Sequence, residues 1–154
     1  MTALFRTSLL ATALVLSAGA AWAQPDRSGT PATTLAVSGD DTASTSVTAG
    51  GRDRVAVQGS GCSGFITNGT PTAAVTWSGS GALSIYATAS GDATLVVADP
   101  DGRWHCSDDA SLDNSNPAVT FAQGKSGRYL VWVGMIGAGT ESATLKAKAG
   151  QPAW

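Results

Sequence analysis

The sequence predicts an all-β protein, an antiparallel sandwich of seven to eight strands, on three observations. Short β-like runs recur from about residue 52 onward, separated by turn-forming clusters. Apolar residues alternate in Leu83-Ile85-Ala87 and in Tyr129-Val131-Val133, as in strands that keep one face on a core. Only 13% of residues are charged in a chain rich in Gly, Ala, Ser and Thr, and no amphipathic helical pattern exceeds two turns.

The N-terminus is read first because it defines the compartment. Arg6 provides a positive start, Leu9 to Leu16 form a short apolar run, and Ala21-Trp22-Ala23 place small residues at a cleavage site before Gln24. Residues 1–23 therefore read as a secretory signal peptide, too short for a stable span, and no later apolar run approaches spanning length. The expectation is an exported protein, periplasmic or extracellular, of about 131 residues, which fits one domain. Loss of Arg6 takes the formal charge from −2 to −3, so no basic field attracts nucleic acid or an anionic membrane.

Residues 24–51 are dominated by Ser, Thr, Gly, Ala, Pro and Asp. They read as a mostly flexible segment, with a short strand near 33–37 where Leu35 and Val37 lie. Strand candidates then follow at 54–58, 74–77, 83–88, 94–98, 103–106, 119–122, 129–133 and 143–148, and 151–154 are a C-terminal tail. The clearest local unit is the hairpin over 94–106. Pro100 presets φ for its turn, Gly102 takes the positive φ that ends it, and Asp99 and Asp101 are turn and cap residues. An even cysteine count in an exported chain favours a Cys62–Cys106 disulfide, with two buried unpaired thiols as the alternative.

Several linked motifs in fixed order carry a resemblance. Cys62-Ser63-Gly64-Phe65-Ile66, Asp92-Ala93-Thr94-Leu95-Val96-Val97, Pro100-Asp101-Gly102-Arg103-Trp104-His105-Cys106-Ser107-Asp108-Asp109, Asn116-Pro117 and Ser126-Gly127-Arg128-Tyr129 through Gly134 are in this chain. The series resembles bacterial pre-peptidase C-terminal (PPC) domains, in their exported stand-alone form, over roughly 55–148. The resemblance implies a jelly-roll-like sandwich, over 52–150, acting as a non-catalytic appendage in substrate binding, secretion or maturation. Relatives attached to collagenases bind calcium at acidic loops. This chain departs from the usual context because it carries no catalytic domain.

Asp99-Pro100-Asp101-Gly102-Arg103-Trp104-His105-Cys106-Ser107-Asp108-Asp109 holds four carboxylates and the chain's only histidine. A Ser-His-Asp triad would need His105, which sits on a predicted strand, and no serine lies in a Gly-x-Ser-x-Gly sequence. A secreted serine-peptidase-type hydrolase, or a peptidase-associated protein, is thus the alternative rather than the main reading. Gly124-Lys125-Ser126 fails as a phosphate loop because Val119 stands where its first glycine is required. Zinc lacks ligands once Cys106 is bridged.

Calcium, a hard cation that takes six to eight oxygens, is the candidate cofactor. Asp99, Asp101, Asp108, Asp109 and Asp113 are five of eleven acidic residues within fifteen positions. The hairpin splits them, so Asp92, Asp108 and Asp109 form the candidate metal site, with turn and cap chemistry as the competing reading. Trp77 and Trp132 are assigned to the core or the disulfide, whereas Trp104 and His105 are candidate ligand contacts. The expected role is a binding or accessory module that contacts a protein, a peptide or an envelope polysaccharide, without nucleic acid and without a membrane span.

Overall fold

The computed structural model describes residues 24–57 and 62–154; the signal-peptide reading of 1–23 lies outside them. In chain order the strands are β1 (Thr34–Val37), β2 (Thr42–Gly51), β3 (Asp53–Arg54), β4 (Phe65–Ile66), β5 (Ala73–Trp77), β6 (Leu83–Ala89), β7 (Ala93–Ala98), β8 (Trp104–Ser107), β9 (Ala118–Phe121), β10 (Gly127–Met135) and β11 (Gly139–Ala149). There is no helix among the described residues.

The strands form two sheets of an all-β sandwich. One has the order β2-β11-β6-β9. In the other, β10 pairs with β7, which carries β8, on one side. On its other side β10 pairs with β5 through Gly127–Val131 and with β4 through Met135. β5 to β6, β6 to β7, β8 to β9, β9 to β10 and β10 to β11 all pass from one sheet to the other, which gives the jelly-roll-like course. Pairing is antiparallel throughout except between β1 and β5, which run parallel. Eleven strands among the described residues replace the seven or eight expected; β2 and β4 lack the apolar alternation by which the others are read.

The segment 24–51 corrects the expectation of a mostly flexible stretch. β2 pairs with β11 over ten consecutive residues, from Thr42↔Lys148 to Gly51↔Gly139. Its inward residues are small, Ala43, Val47 and Ala49, and they pack on the main core. Backbone pairing thus supplies the order that side-chain bulk does not. The strand expected over 54–58 is shorter than read, ending at Arg54 in β3, with residue 58 outside the described residues.

The main core lies between the sheets and includes Trp77, Ile85, Leu95, Tyr129, Val131 and Leu145. A second, smaller core covers the opposite face of the β10 sheet. There Val96, Ala98 and Trp132 meet Val55 and Ile66, with Cys62, Trp104, Cys106 and Leu130 packed against them. β7 and the centre of β10 are therefore buried on both faces, which is why Thr94-Leu95-Val96-Val97-Ala98 and Val131-Trp132-Val133 read as continuous apolar runs.

Candidate functional site

The β7–β8 hairpin organises one end of the sandwich. Leu95 to Ala98 pair with Ser107 to Trp104, and the turn closes with Gly102 donating N–H to the Asp99 carbonyl at 2.9 Å. Gly102 has φ 80, a conformation costly for any residue with a Cβ. Asp99 Oδ1 accepts the backbone N–H of Asp101 and of Arg103, each at 2.9 Å. Its Oδ2 stands 3.0 Å from His105 Nε2. Burial by itself raises the Asp99 carboxyl, but the His105 hydrogen bond and the Arg103 and Asp101 N–H groups outweigh it and hold it below its ordinary value. Asp101 pairs with Lys125 from the loop before β10.

His105 pairs with Val97 and so shares the inward face of the sheet. Its ring meets Phe121 of β9 edge-on at 4.7 Å between centroids, and Phe121 in turn meets Tyr129 at 5.0 Å. The Tyr129 hydroxyl donates to the Lys125 carbonyl at 2.7 Å. Burial, with the Asp99 charge nearby, pushes it up to about 12. The histidine thus bridges the two sheets at an open end of the sandwich, oriented by Asp99. Phe121, Tyr129 and Lys125 stand in the sequence only as strand and turn residues; they reach this end from elsewhere in the chain, and a local motif holds no sign of it.

Trp104 lies on the other face. It pairs with Ala98, tilts against Trp132 at 5.5 Å, and donates Nε1–H to Gln24 Oε1 at 3.1 Å. The Arg27 guanidinium stands 5.5 Å over its ring. Cys62 and Cys106 are joined with Cα atoms 6.1 Å apart, across 44 positions of sequence, beside this pair of indoles. His105 and Trp104 are therefore separated by the sheet and do not form one ligand-contact patch.

The three carboxylates of the candidate calcium site are electrostatically coupled. Partial burial, then the charges of Asp109 and Asp108, hold the Asp92 carboxyl above its usual value. Among the described residues, however, no three His, Cys, Asp or Glu side chains are grouped so as to hold a metal. Ser107 Oγ, just before Asp108, instead donates to the Asp109 carbonyl and accepts the Ala118 N–H, tying the following loop to β9.

That loop, residues 108–117, is the feature that sequence reasoning missed. Ser111 and Asn114 form a bridge, with N–H to carbonyl contacts in both directions at 3.3 and 3.1 Å. The Ala110 N–H reaches the carbonyls of Asn114 and Asn116, and Asn114 Oδ1 accepts from the Asn116 backbone and side chain. Leu112 stands at the tip, fully exposed. Beside it runs a shallow groove of about 410 Å³ lined by Ser111, Asn114, Ala118, Thr120, Pro152 and Trp154. Leu112 and Trp154 are the large apolar side chains left exposed among the described residues; Trp154 lines this groove, as does Ser111, the chain neighbour of Leu112. A single leucine in a polar loop has no periodicity, so nothing but its isolation among Asp, Ser and Asn could have marked it.

No protein-family model and no curated protein matches the chain. Among solved structures it is similar to PliG of Aeromonas hydrophila, a periplasmic lysozyme inhibitor of g-type lysozyme, at 15% identity. The likeness covers 79% of this chain and 100% of that one, with a TM-score of 0.47, and assigns no residue a role.

Proposed function

We propose that this is an exported, non-catalytic, PPC-like binding module that contacts a protein partner through the surface around Leu112 and Trp154. The observation that carries the reading is the pinned loop itself. A fully exposed leucine on a hydrogen-bonded turn, whose neighbour Ser111 lines a groove together with half-exposed Trp154, is apolar surface held in one geometry before any partner arrives. Pre-ordering lowers the entropy lost on binding, and apolar anchors flanked by polar groups are the usual composition of a protein contact. The disulfide and the signal-like N-terminus support export. The motif series that resembles PPC domains supports an accessory role.

The non-catalytic part rests on His105. Its Nε2 is engaged by Asp99 and its ring is clamped on Phe121, which suits a strut between sheets better than a mobile proton carrier.

A photoreactive residue at position 112 is expected to crosslink to a discrete protein in the exported fraction, and the same residue at exposed Thr140 is not. Equal labelling at both positions, or none at 112, would sink the reading. Leu112→Asp is expected to remove the crosslinked partner while leaving stability within about 0.5 kcal/mol, as for a surface change. The hydrolase alternative has its own readout. The purified protein is expected to show no turnover of casein, and turnover that disappears in His105→Ala would overturn the non-catalytic assignment.

A further inference from the structure

The two sheets end in strands of very different character. β1, β8 and β9 have four residues each, and β3 has two, both charged. β2, the outer strand of its sheet, has ten, and its second edge pairs with no described strand. From Thr42 to Gly51 it holds no charge and no proline, the devices that normally stop an edge from recruiting another strand. Its last residues are covered, since Gly51 lies tight against the Ile66 backbone and the Thr67 hydroxyl donates to the Gly50 carbonyl. Thr42 to Thr48 alternate between exposed and half-buried, and along Ser46, Val47 and Thr48 opens a groove of about 350 Å³ walled by Thr33, Pro71 and Thr72.

We infer that β2 is a self-association edge, pairing antiparallel with β2 of a second copy across a twofold axis near Thr45. This goes beyond the Leu112 surface and does not depend on it. In that register Thr42 faces Thr48 and Ser44 faces Ser46 on the outer face, while Ala43 faces Val47 on the inner one. The outer pairs are hydroxyl on hydroxyl, which hydrogen-bond across antiparallel strands, and no like charges are opposed. The inner pair sets Ala43 of the second copy opposite Val47, at the groove. Two four-stranded sheets become one of eight.

Charge favours the same occupant. Asp40 and Asp41 precede β2 and Arg52 follows it, all three exposed, and Arg52 has no ion pair among the described residues. Antiparallel pairing carries the Asp40–Asp41 turn of each copy toward Arg52 of the other. The lysines of the neighbouring strand, Lys146 and Lys148, pair with Ser44 and Thr42. Each is a strand away from the seam, so those of the two copies stay about three strand spacings, roughly 14 Å, apart, beyond a Debye length at physiological salt.

The test is sedimentation equilibrium of the purified protein over a hundredfold range of concentration. A reversible monomer–dimer equilibrium is expected. Ser44→Lys/Ser46→Lys opposes lysines at both symmetry-related Ser44–Ser46 pairs and is expected to give a monomer, as is Ser44→Glu/Ser46→Glu. Mixing the two is expected to restore a dimer containing one of each, which a misfolded variant could not do. A monomer at every concentration would overturn the inference and leave the edge to an extended segment of another protein. A dimer indifferent to all four substitutions would overturn it as well, placing the contact elsewhere.

Discussion

Asp99 is tied to three different residues through both carboxylate oxygens, which makes its energetics separable from the rest. It accepts two backbone N–H groups and faces His105, so Asp99→Ala leaves three polar partners to find water at a half-buried turn. A loss of about 1–3 kcal/mol is expected in urea unfolding at pH 7. The loss depends on pH in a defined direction. The native carboxyl titrates below its unfolded value, near 3.9, so its contribution is fully present above that pH and disappears as pH falls through the lower native value. The gap between the protein and Asp99→Ala should thus be constant from pH 7 to 5 and close in the acid range; a gap that persists unchanged at pH 2 would assign the effect to packing. Asp92 behaves in the opposite sense, because burial and the Asp109 and Asp108 charges raise it. Among the described residues no three such side chains are grouped around a common point, so turn and cap chemistry is the expected role of Asp92, Asp108 and Asp109. An unchanged unfolding midpoint is expected on going from EDTA to millimolar calcium. A saturated site at about 100 times its dissociation constant would add roughly 2.7 kcal/mol, a rise on the order of 10 °C. A rise of that size, lost in Asp108→Ala/Asp109→Ala, would show that these side chains close around the ion.

At the scale of elements, β7 and β8 show what local sequence can specify. Asp99-Pro100-Asp101-Gly102 encodes the turn in its own chemistry, and Val96-Val97 between apolar neighbours announces burial on both faces. The same reasoning located β1, β5, β6, β9, β10 and β11 to within a few residues at their centres. It failed for β2 because Thr42-Ala43-Ser44-Thr45-Ser46 has no apolar face to read, and the strand is specified instead by β11 a hundred residues away. It failed for β4 because two residues that pair with Met135 and with Arg54 leave no period at all. The site divides along the same line. Asp99 and His105 both lie within seven residues that the sequence marks, but as a turn residue and a strand residue; their pairing, like the places of Phe121, Tyr129 and Leu112, shows only in the fold. The disulfide is the element that joins the small core to the hairpin. Replacing both cysteines in Cys62→Ala/Cys106→Ala frees a loop of 44 positions, for which chain entropy alone suggests roughly 4 kcal/mol. The unfolding midpoint is expected to fall by on the order of 10 °C, with the emission of buried Trp132 shifting toward that of a wetter indole. A midpoint within a degree or two of the parent would mean that Val55, Ile66, Val96 and Trp132 hold the outer core without the staple.

For the molecule as a whole, the boundary of the folded unit is the consequential correction. Had residues 24–51 been a tether, a chain starting at Arg52 would fold by itself. Instead β1 lies parallel to β5 and places Leu35 and Val37 in the main core, and β2 completes the sheet opposite. Removing them exposes the partners of both side chains, at about 1.5–3 kcal/mol for each fully buried Leu or Val. It also strips ten residues of pairing from β11, whose inward Ala143, Leu145 and Ala147 then border water. Those losses together approach the whole of the 5–15 kcal/mol that a domain of this size possesses. The truncated chain is accordingly expected to show no cooperative urea transition and no near-ultraviolet circular dichroism from its buried tryptophans, while the chain from Gln24 shows both. The parallel placement of β1 sharpens the expectation. Its partner β5 sits between β1 and β10, so loss of β1 turns an interior strand holding buried Ala73, Val75 and Trp77 into an exposed edge. A cooperative transition in the truncated chain, at the parent's denaturant midpoint, would mean that β5, β10 and β11 close the core unaided and would return residues 24–51 to the status of an appendage.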